Sequence, residues 1–479
     1  DMAAVGGRAP LTAKWTAAAD SAGVISSVEL VLSFESGCTG GAAGDLGMGI
    51  QFSDNCYRHE DFTCAGAITT SRKPGNTAVR APGVIATVPL SEEVIERVAE
   101  AIGMPADAVR EVNLYKDGDV TPLVCGGNVI GSERFNWNVP SMWASSRAAW
   151  HVDARRADIS AFNTANRWRK RGLAMMPIKY GMALGDFHIA ASVRIMGSDG
   201  SVQVVHGCCE IGQGLNTKVA QAVAYRLGCP LDAVVVGDTS SMNGPNTTLT
   251  GGSGTSETAC AAALDACAKL VASLAPYRSP DWAQTVSAAL DGGASLHEAG
   301  WYQPHPAKPF QYATQGVGAV EVEVDCLTGE IQISRADVMM DQGSPLNPMI
   351  DMGQAEGGFV MALGYYLTEE VLWADATNAQ INLGTWQYKP PAVHDIPLEF
   401  NVSFLAKTPN TSDYAVLGSK ASAEPVMALG AAAFYAARAA IKAARADAGE
   451  TGTFDLEAPL TVQRIQQACL VTAQQFKLK

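Results

Sequence analysis

The sequence contains no CxxC pair. Its eleven cysteines, at 38, 56, 64, 125, 208, 209, 229, 260, 267, 326 and 469, are scattered and odd in number, which argues against a disulfide framework and against a zinc or iron–sulfur site inside this chain. Charge is also scarce. Only 17% of residues are charged, and 48 acidic against 34 basic side chains leave a formal net charge of −14, which disfavours nucleic acid and anionic membrane surfaces as partners. No uninterrupted apolar run of bilayer-spanning length is evident and no charged-then-apolar leader opens the chain, so no membrane association and a cytoplasmic location are expected. An initiator methionine is missing too: the chain opens Asp1-Met2, as expected of a piece of something longer. What is abundant is apolar bulk, 47% of 479 residues, enough for two to four domains or subdomains.

The most distinctive stretch is His206 to Gln221, HGCCEIGQGLNTKVAQ. Gly212 and Gly214 permit a sharp turn and close backbone approach to a bound group, and Gln213 is thereby pushed out of the loop. Val219, Val223 and Leu227 then mark a helical face that ends at Gly228. GQGLNTK lacks the third glycine of GxGxxG and the spacing of GxxxxGK[ST], which argues against nucleotide binding by either route. Two readings of the loop remain. Its glutamine either faces a ligand at a helix N-terminus or hydrogen-bonds the backbone of a tight turn.

Taken in order, residues 11–34 read as a hairpin. A helix is expected from Ser91 as N-cap, with Leu90 and Ile95 as a hydrophobic staple and Gly103 as its end, followed by a shorter one from Pro105 to about Tyr115. Between about 118 and 172, Trp137, Trp143, Trp150 and Trp168 are spread over segments that look helical, and Arg167 to Arg171 read as last-turn cations before Gly172, with an anion site as the alternative. A boundary here divides the chain into 1–165 and 166–479. Residues 188–207 form a second hairpin, and 230–238 another strand. The loop 243–256 follows, and its Gly251, Gly252, Ser253 and Thr255 feed a helix N-terminus suited to an anionic or oxo-rich ligand. A third hairpin, 317–336, leads to Gly353-Gln354 and an apolar helix from Phe359, so Gly212-Gln213 and Gly353-Gln354 are expected in equivalent slots. The fold class is α+β: two elongated mixed subdomains with hairpins and buried helices, carrying a quasi-repeated strand-turn-strand-(Gly-Gln)-helix unit. Near the C-terminus Pro425 fits a first helical position with Glu424 at the N-cap. That carboxylate either caps the helix, stabilising it by ~0.3–1 kcal/mol, or serves as a general base held among apolar neighbours.

With these pieces in order, the sequence resembles the C-terminal molybdenum-binding region of the xanthine dehydrogenase/aldehyde oxidase family. The matching motifs are NTAVRAPG (76–83), NLYKDGD (113–119), RWRKRGLAMMPIKY (167–180), EIGQGLNTK (210–218), TGGSGTSE (250–257), VEVDCLTGEI (322–331), SPLNPMIDMGQAEGGF (344–359), TWQYKPPAVHDIP (385–397) and SKASAEP (419–425). RAPG, EIGQGL, GTWQYK and SKAS are closer to plant-type aldehyde oxidases than to the purine enzymes. The resemblance implies a molybdopterin-bound molybdenum in the sulfido form, with no ligand from a protein side chain. It also implies oxidation of an aldehyde, or hydroxylation of an N-heterocycle, with water-derived oxygen. Glu424 would be the base and Arg80 would orient the substrate or stabilise developing charge. Gln213, Gly212, Ile211 and Gln354 would contact the cofactor, and Gly252 and Thr255 would line its pocket. Leu114 and Leu184 would stand where the purine enzymes place two stacking phenylalanines, which weakens heterocycle stacking by ~0.5–1.5 kcal/mol per pair. Ala423 and Val426 also depart from the family pattern around the glutamate. The resemblance further implies 2Fe-2S and FAD domains upstream of this chain, a homodimer, and an enzyme that this chain alone leaves incomplete. The alternatives are a xanthine dehydrogenase-type purine hydroxylase and a cofactor-less, non-catalytic paralogue.

Overall fold

A computed structural model describes residues 6–133, 135–185, 187–241, 244–302, 309–472 and 475. Residue 243 of the expected loop lies outside them. One structural unit occurs three times: an antiparallel hairpin, a crossover helix, and a strand that returns parallel to the second strand of the hairpin. The first is β1 (Leu11–Ala19), β2 (Ile25–Glu35), α1 (Ala43–Phe52) and β3 (Asp61–Thr69), in sheet order β1-β2-β3. Helices α2 (Val84–Ile102), α3 (Ala106–Asn113), α4 (Val139–Ala149) and α5 (Val152–Ala165) then lead to β4 (Arg169–Met182). The second unit is β5 (Ala190–Ile195), β6 (Val202–His206), α6 (Leu215–Leu227) and β7 (Val234–Val236). Its sheet is completed, after α7 (Thr255–Leu274) and α8 (Trp282–Asp291), by β8 (His297–Trp301) in the order β7-β6-β5-β8. The third is β9 (Tyr312–Asp325), β10 (Ile331–Asp341), α9 (Pro348–Leu363) and β11 (Glu399–Phe404), joined by β4 in the order β11-β10-β9-β4. Helices α10 (Ala431–Asp447) and α11 (Val462–Ala468) close the chain.

Sequence patterns explain the layers. In β2 the alternation of Val28, Leu30, Leu32 and Phe34 puts one face into a core shared with α2, as expected of a sheet covered on one side. β4 and β9 are instead buried almost continuously, because α10 packs against them on one side and α4 and α5 on the other. Gly172 permits the close approach of α10: a Cβ there would lie 1.9 Å from the Ala436 carbonyl oxygen.

Several expectations are corrected. The hairpin-then-helix plan recurs, but the two Gly-Gln pairs are not equivalent. Gly212-Gln213 precedes α6, whereas Gly353-Gln354 lies inside α9, whose N-cap is Asn347 with its side chain accepting from the Ile350 N–H. The Asn-Pro pair, not the glycine, starts that helix, and it does so well before Phe359. Likewise α2 begins at Val84 and runs through Pro89, so Ser91 is interior. Proline removes the donor for the Ile85 carbonyl, and the buried hydroxyl of Tyr366 donates to that oxygen at 2.6 Å. The basic run after α5 is the start of β4, not a helix end: Arg169 and Arg171 pair with Glu323 across the sheet, and Lys170 with Asp447. Two helical stretches, Thr255–Tyr277 and Pro425–Asp447, are long and apolar enough to cross a membrane by length and composition, although charged residues such as Asp265 and Arg438 interrupt both. They are 50% and 83% buried inside the protein, where they serve as core helices. All eleven cysteines are free thiols.

Candidate active site

Glu424 stands at the N-cap of the short 3-10 turn Pro425–Gly430 that leads into α10, yet its side chain makes no capping bond. The capping reading therefore fails. The carboxylate turns into the protein, 5% exposed, and meets three donors. Oε1 accepts from the backbone N–H of Ala81 at 2.9 Å, and Oε2 from the hydroxyls of Tyr180 at 2.8 Å and Ser253 at 3.0 Å. Ser253 Oγ also accepts from the N–H of Glu424 at 2.8 Å, so one hydroxyl holds both ends of the residue. Ala81 and Ser253 are non-glycine residues with φ of 60° and 55°. Backbone in this region carries strain that the surroundings must enforce, a recurrent property of functional sites.

The whole segment before Glu424 is fastened in the same way. Lys420 donates to Asp341 at the end of β10 at 2.7 Å, and both groups are buried. The N–H of Ala421 bonds the Tyr312 hydroxyl at 3.1 Å, while its carbonyl accepts from Thr314, both on β9. Ser422 donates to Asp351 of α9 at 2.7 Å, and Lys218 of α6 donates to the same oxygen at 2.6 Å. The carbonyl of Ala423 accepts from Arg80 Nε at 2.6 Å. A buried polar group costs free energy unless partnered, and here the partners come from β9, β10, α9 and the segment before α2, so the carboxylate cannot shift without breaking several contacts.

The other expected residues are placed as follows. Arg80 spends Nε on Ala423 and Nη2 on the backbone carbonyl of Gln354 at 2.8 Å, acting as a clamp between α9 and the glutamate strap. Burial lowers its pKa while nearby Glu424 raises it. Gln354 contributes its backbone to that clamp. Gln213 folds back on its own loop, with Oε1 accepting from Ile211 N at 2.6 Å and Nε2 donating to the Cys209 carbonyl at 3.0 Å; this is the tight-turn reading. Ile211 is 72% exposed, and Gly212 donates to Glu210, whose carboxylate also accepts from Gly214 and Asn216 at the start of α6. Gly252 and Thr255 belong to the Ser253 loop, where Thr255 Oγ1 bonds Gly251 N at 2.9 Å. Leu184 backs that loop: a Cβ on Gly254 would lie 2.2 Å from it. Leu114 does not join it. It is buried in the separate core beneath the first sheet, bridging to Tyr57, so the two leucines form no opposed pair.

Sequence reasoning missed Tyr180, Lys218, Asp351, Ser422 and Tyr312, and it missed Ser253 as a partner of the glutamate. A faint signal existed: Tyr180 and Lys218 are polar groups at the buried ends of apolar runs. It missed Glu257 as well. This fully buried carboxyl on α7 accepts from Tyr312 at 2.7 Å, and burial pushes its pKa up to about 7.

Molybdopterin cofactor-binding domain models match residues 1–114 and 145–397. The chain belongs to the xanthine dehydrogenase/aldehyde oxidase family. It is 38% identical to a xanthine dehydrogenase of Drosophila pseudoobscura pseudoobscura and 35% identical to aldehyde oxidase 1 of Bos taurus, each over 98% of this chain but 35% and 36% of the relative. The chain thus spans about a third of the length of these relatives. The fold is that of quinoline 2-oxidoreductase from Pseudomonas putida, with a TM-score of 0.84, 20% identity, and coverage of 97% of this chain and 63% of that one. It is likewise that of the aldehyde oxidoreductase from Desulfovibrio desulfuricans, with a TM-score of 0.80, 21% identity and coverage of 97% and 49%. Family membership gives the loops around Glu424 their context, since the Ser253 loop lies within the second matched domain.

The residues expected at a cofactor leave surface open to one, although the Gln213 side chain and the Gly212 N–H are bonded within their own loop. Gly212, Gly353 and Gly357 are exposed and have no neighbour within 4 Å of a would-be Cβ, so no side chain blocks a group from reaching the surface there. Among the described residues no group of three or more His, Cys, Asp or Glu side chains that could hold a metal ion stands together.

Proposed function

We propose that this chain is the molybdopterin-binding portion of an aldehyde oxidase-like hydroxylase, in which Glu424 is the general base. The buried, three-donor carboxylate of Glu424 carries this reading, because it is held for a purpose other than capping its helix. When bound, the molybdenum cofactor in its sulfido form supplies the two-electron redox chemistry. Gly212, Gln213, Ile211, Gly252, Thr255 and Gln354 would hold it, with the side chain of Gln213 swinging off its own backbone to do so. The chain's own chemistry is then acid–base. Glu424 Oε1 or Oε2 takes a proton from the attacking water-derived oxygen, while Arg80 keeps the carboxylate strap against α9 and lends positive charge beside it.

The preference for aldehydes rests on Leu184, an aliphatic side chain behind the Ser253 loop that offers no ring for stacking a heterocycle. The relatives include both substrate classes, a xanthine dehydrogenase at 38% identity and an aldehyde oxidase at 35%, so kinetics must decide. In the full-length protein, Glu424→Gln is expected to retain molybdenum and pterin and to lower turnover of an aromatic aldehyde by about 10²–10⁴-fold. Near-normal turnover with full metal content would sink the base assignment, and purine turnover that outpaces aldehyde turnover in the wild type would replace the substrate class. A protein with neither metal nor pterin would be the non-catalytic paralogue.

A further inference from the structure

We infer that Tyr180 is a positioning residue for Glu424: its hydroxyl fixes the orientation of the carboxylate and sets how readily it takes a proton. This rests on the reading of Glu424 as the base. Tyr180 lies near the end of β4, paired with Thr314 of β9, whose own hydroxyl holds Ala421 in the strap. The phenol is 1% exposed, and its ring packs on Phe52 with centroids 4.6 Å apart. The O–H therefore has a fixed direction, and that direction is Glu424 Oε2 at 2.8 Å.

A donor on a carboxylate stabilises the ionised form more than the protonated one. Burial, and then the nearby glutamate, raise the Tyr180 pKa well above its ordinary value, so the phenol stays protonated and remains a donor throughout the working range. The other groups facing Glu424 differ in kind. Ser253 donates from the loop ahead of α7 but does not titrate, and Arg80 contributes charge from ahead of α2. Asp351 and Lys218 act at one remove through Ser422. Of the three neutral donors, the Ala81 N–H, Ser253 and Tyr180, the phenol is the one whose strength ring substitution tunes at constant charge.

The test uses the full-length protein, metal-loaded and metal-free. In Tyr180→Phe, infrared difference spectra that isolate the Glu424 carboxylate by subtraction of Glu424→Gln should show its titration midpoint moved up by about 0.5–1 pH unit. The acid limb of kcat/KM should move with it, and kcat should fall by about 3- to 30-fold with KM nearly unchanged. Replacing Tyr180 by 3,5-difluorotyrosine, which keeps the shape and strengthens the donor, should move the infrared midpoint the other way. A merely structural tyrosine would lower thermal stability and leave both midpoints where they were; that result overturns the proposal. The infrared readout does not depend on turnover, so it separates this outcome from failure of the base assignment itself.

Discussion

At the scale of single residues, the site is a study in buried polar groups with assigned partners. Glu424, Lys420, Asp341 and Asp351 are all buried, and each has a donor or acceptor within 2.6–3.0 Å. Glu257 is the costly member. Its pKa is about 7 against an ordinary 4.5, because burial outweighs the bond from Tyr312. The folded protein therefore holds a proton that the unfolded chain gives up, so this residue subtracts stability as pH rises from about 4.5 to about 7, by ~3 kcal/mol at most. Glu257→Gln should keep the Tyr312 contact and remove the penalty. Its apparent Tm should fall less between pH 5 and pH 8 than the wild type's, as read by differential scanning calorimetry; equal falls would mean that the residue is not neutral when folded.

At the scale of elements, α2 shows how a local rule is broken and repaired. A proline in its interior leaves the Ile85 carbonyl without its helical donor, and Tyr366 supplies one from beyond α9. The start of this helix presents Ala81 to Glu424, and Gly83 makes that possible: a Cβ there would lie 2.0 Å from the Asp45 carbonyl oxygen of α1. Tyr366→Phe should destabilise the protein by ~1–3 kcal/mol, the cost of an unsatisfied buried carbonyl. Adding Pro89→Ala should recover part of the loss, since the new N–H can bond Ile85 within the helix. Denaturant unfolding of the two variants checks this, and no recovery in the double variant would refute the account of α2.

At the scale of the molecule, the three hairpin–helix–strand units converge on one strap, residues 420–424. The segment after the first unit brings Arg80 and Ala81. The second brings Lys218 on α6 and, beyond β7, Ser253. The third brings Asp341, Asp351, Tyr312 and Thr314. The Lys218–Asp351 pair is a charged tie between the second and third units. Lys218→Met, which leaves Asp351 buried and unpaired, should cost ~3–5 kcal/mol. Lys218→Met with Asp351→Leu should cost less than the sum of the single changes. Additive losses in the unfolding midpoints would show that the pair is not coupled.

The sequence by itself determined the local pieces: the three hairpins, the turn at Gly212 to Gly214, the close of α2 at Gly103, and the family motifs that singled out Glu424. These follow from period-2 alternation, glycine geometry and short-range order, which act over a few residues. What it did not contain was which pieces correspond. It paired Gly212-Gln213 with Gly353-Gln354 by spelling, whereas the repeated feature is a crossover helix and a parallel return strand, which no local pattern encodes. It also paired Leu114 with Leu184, which lie in different cores. Only the tertiary structure brought Tyr180, Ala81 and Ser253 onto a carboxylate lying 244, 343 and 171 positions away in sequence. Contacts at that separation are fixed by how sheets and helices pack, and packing is a property of the whole chain.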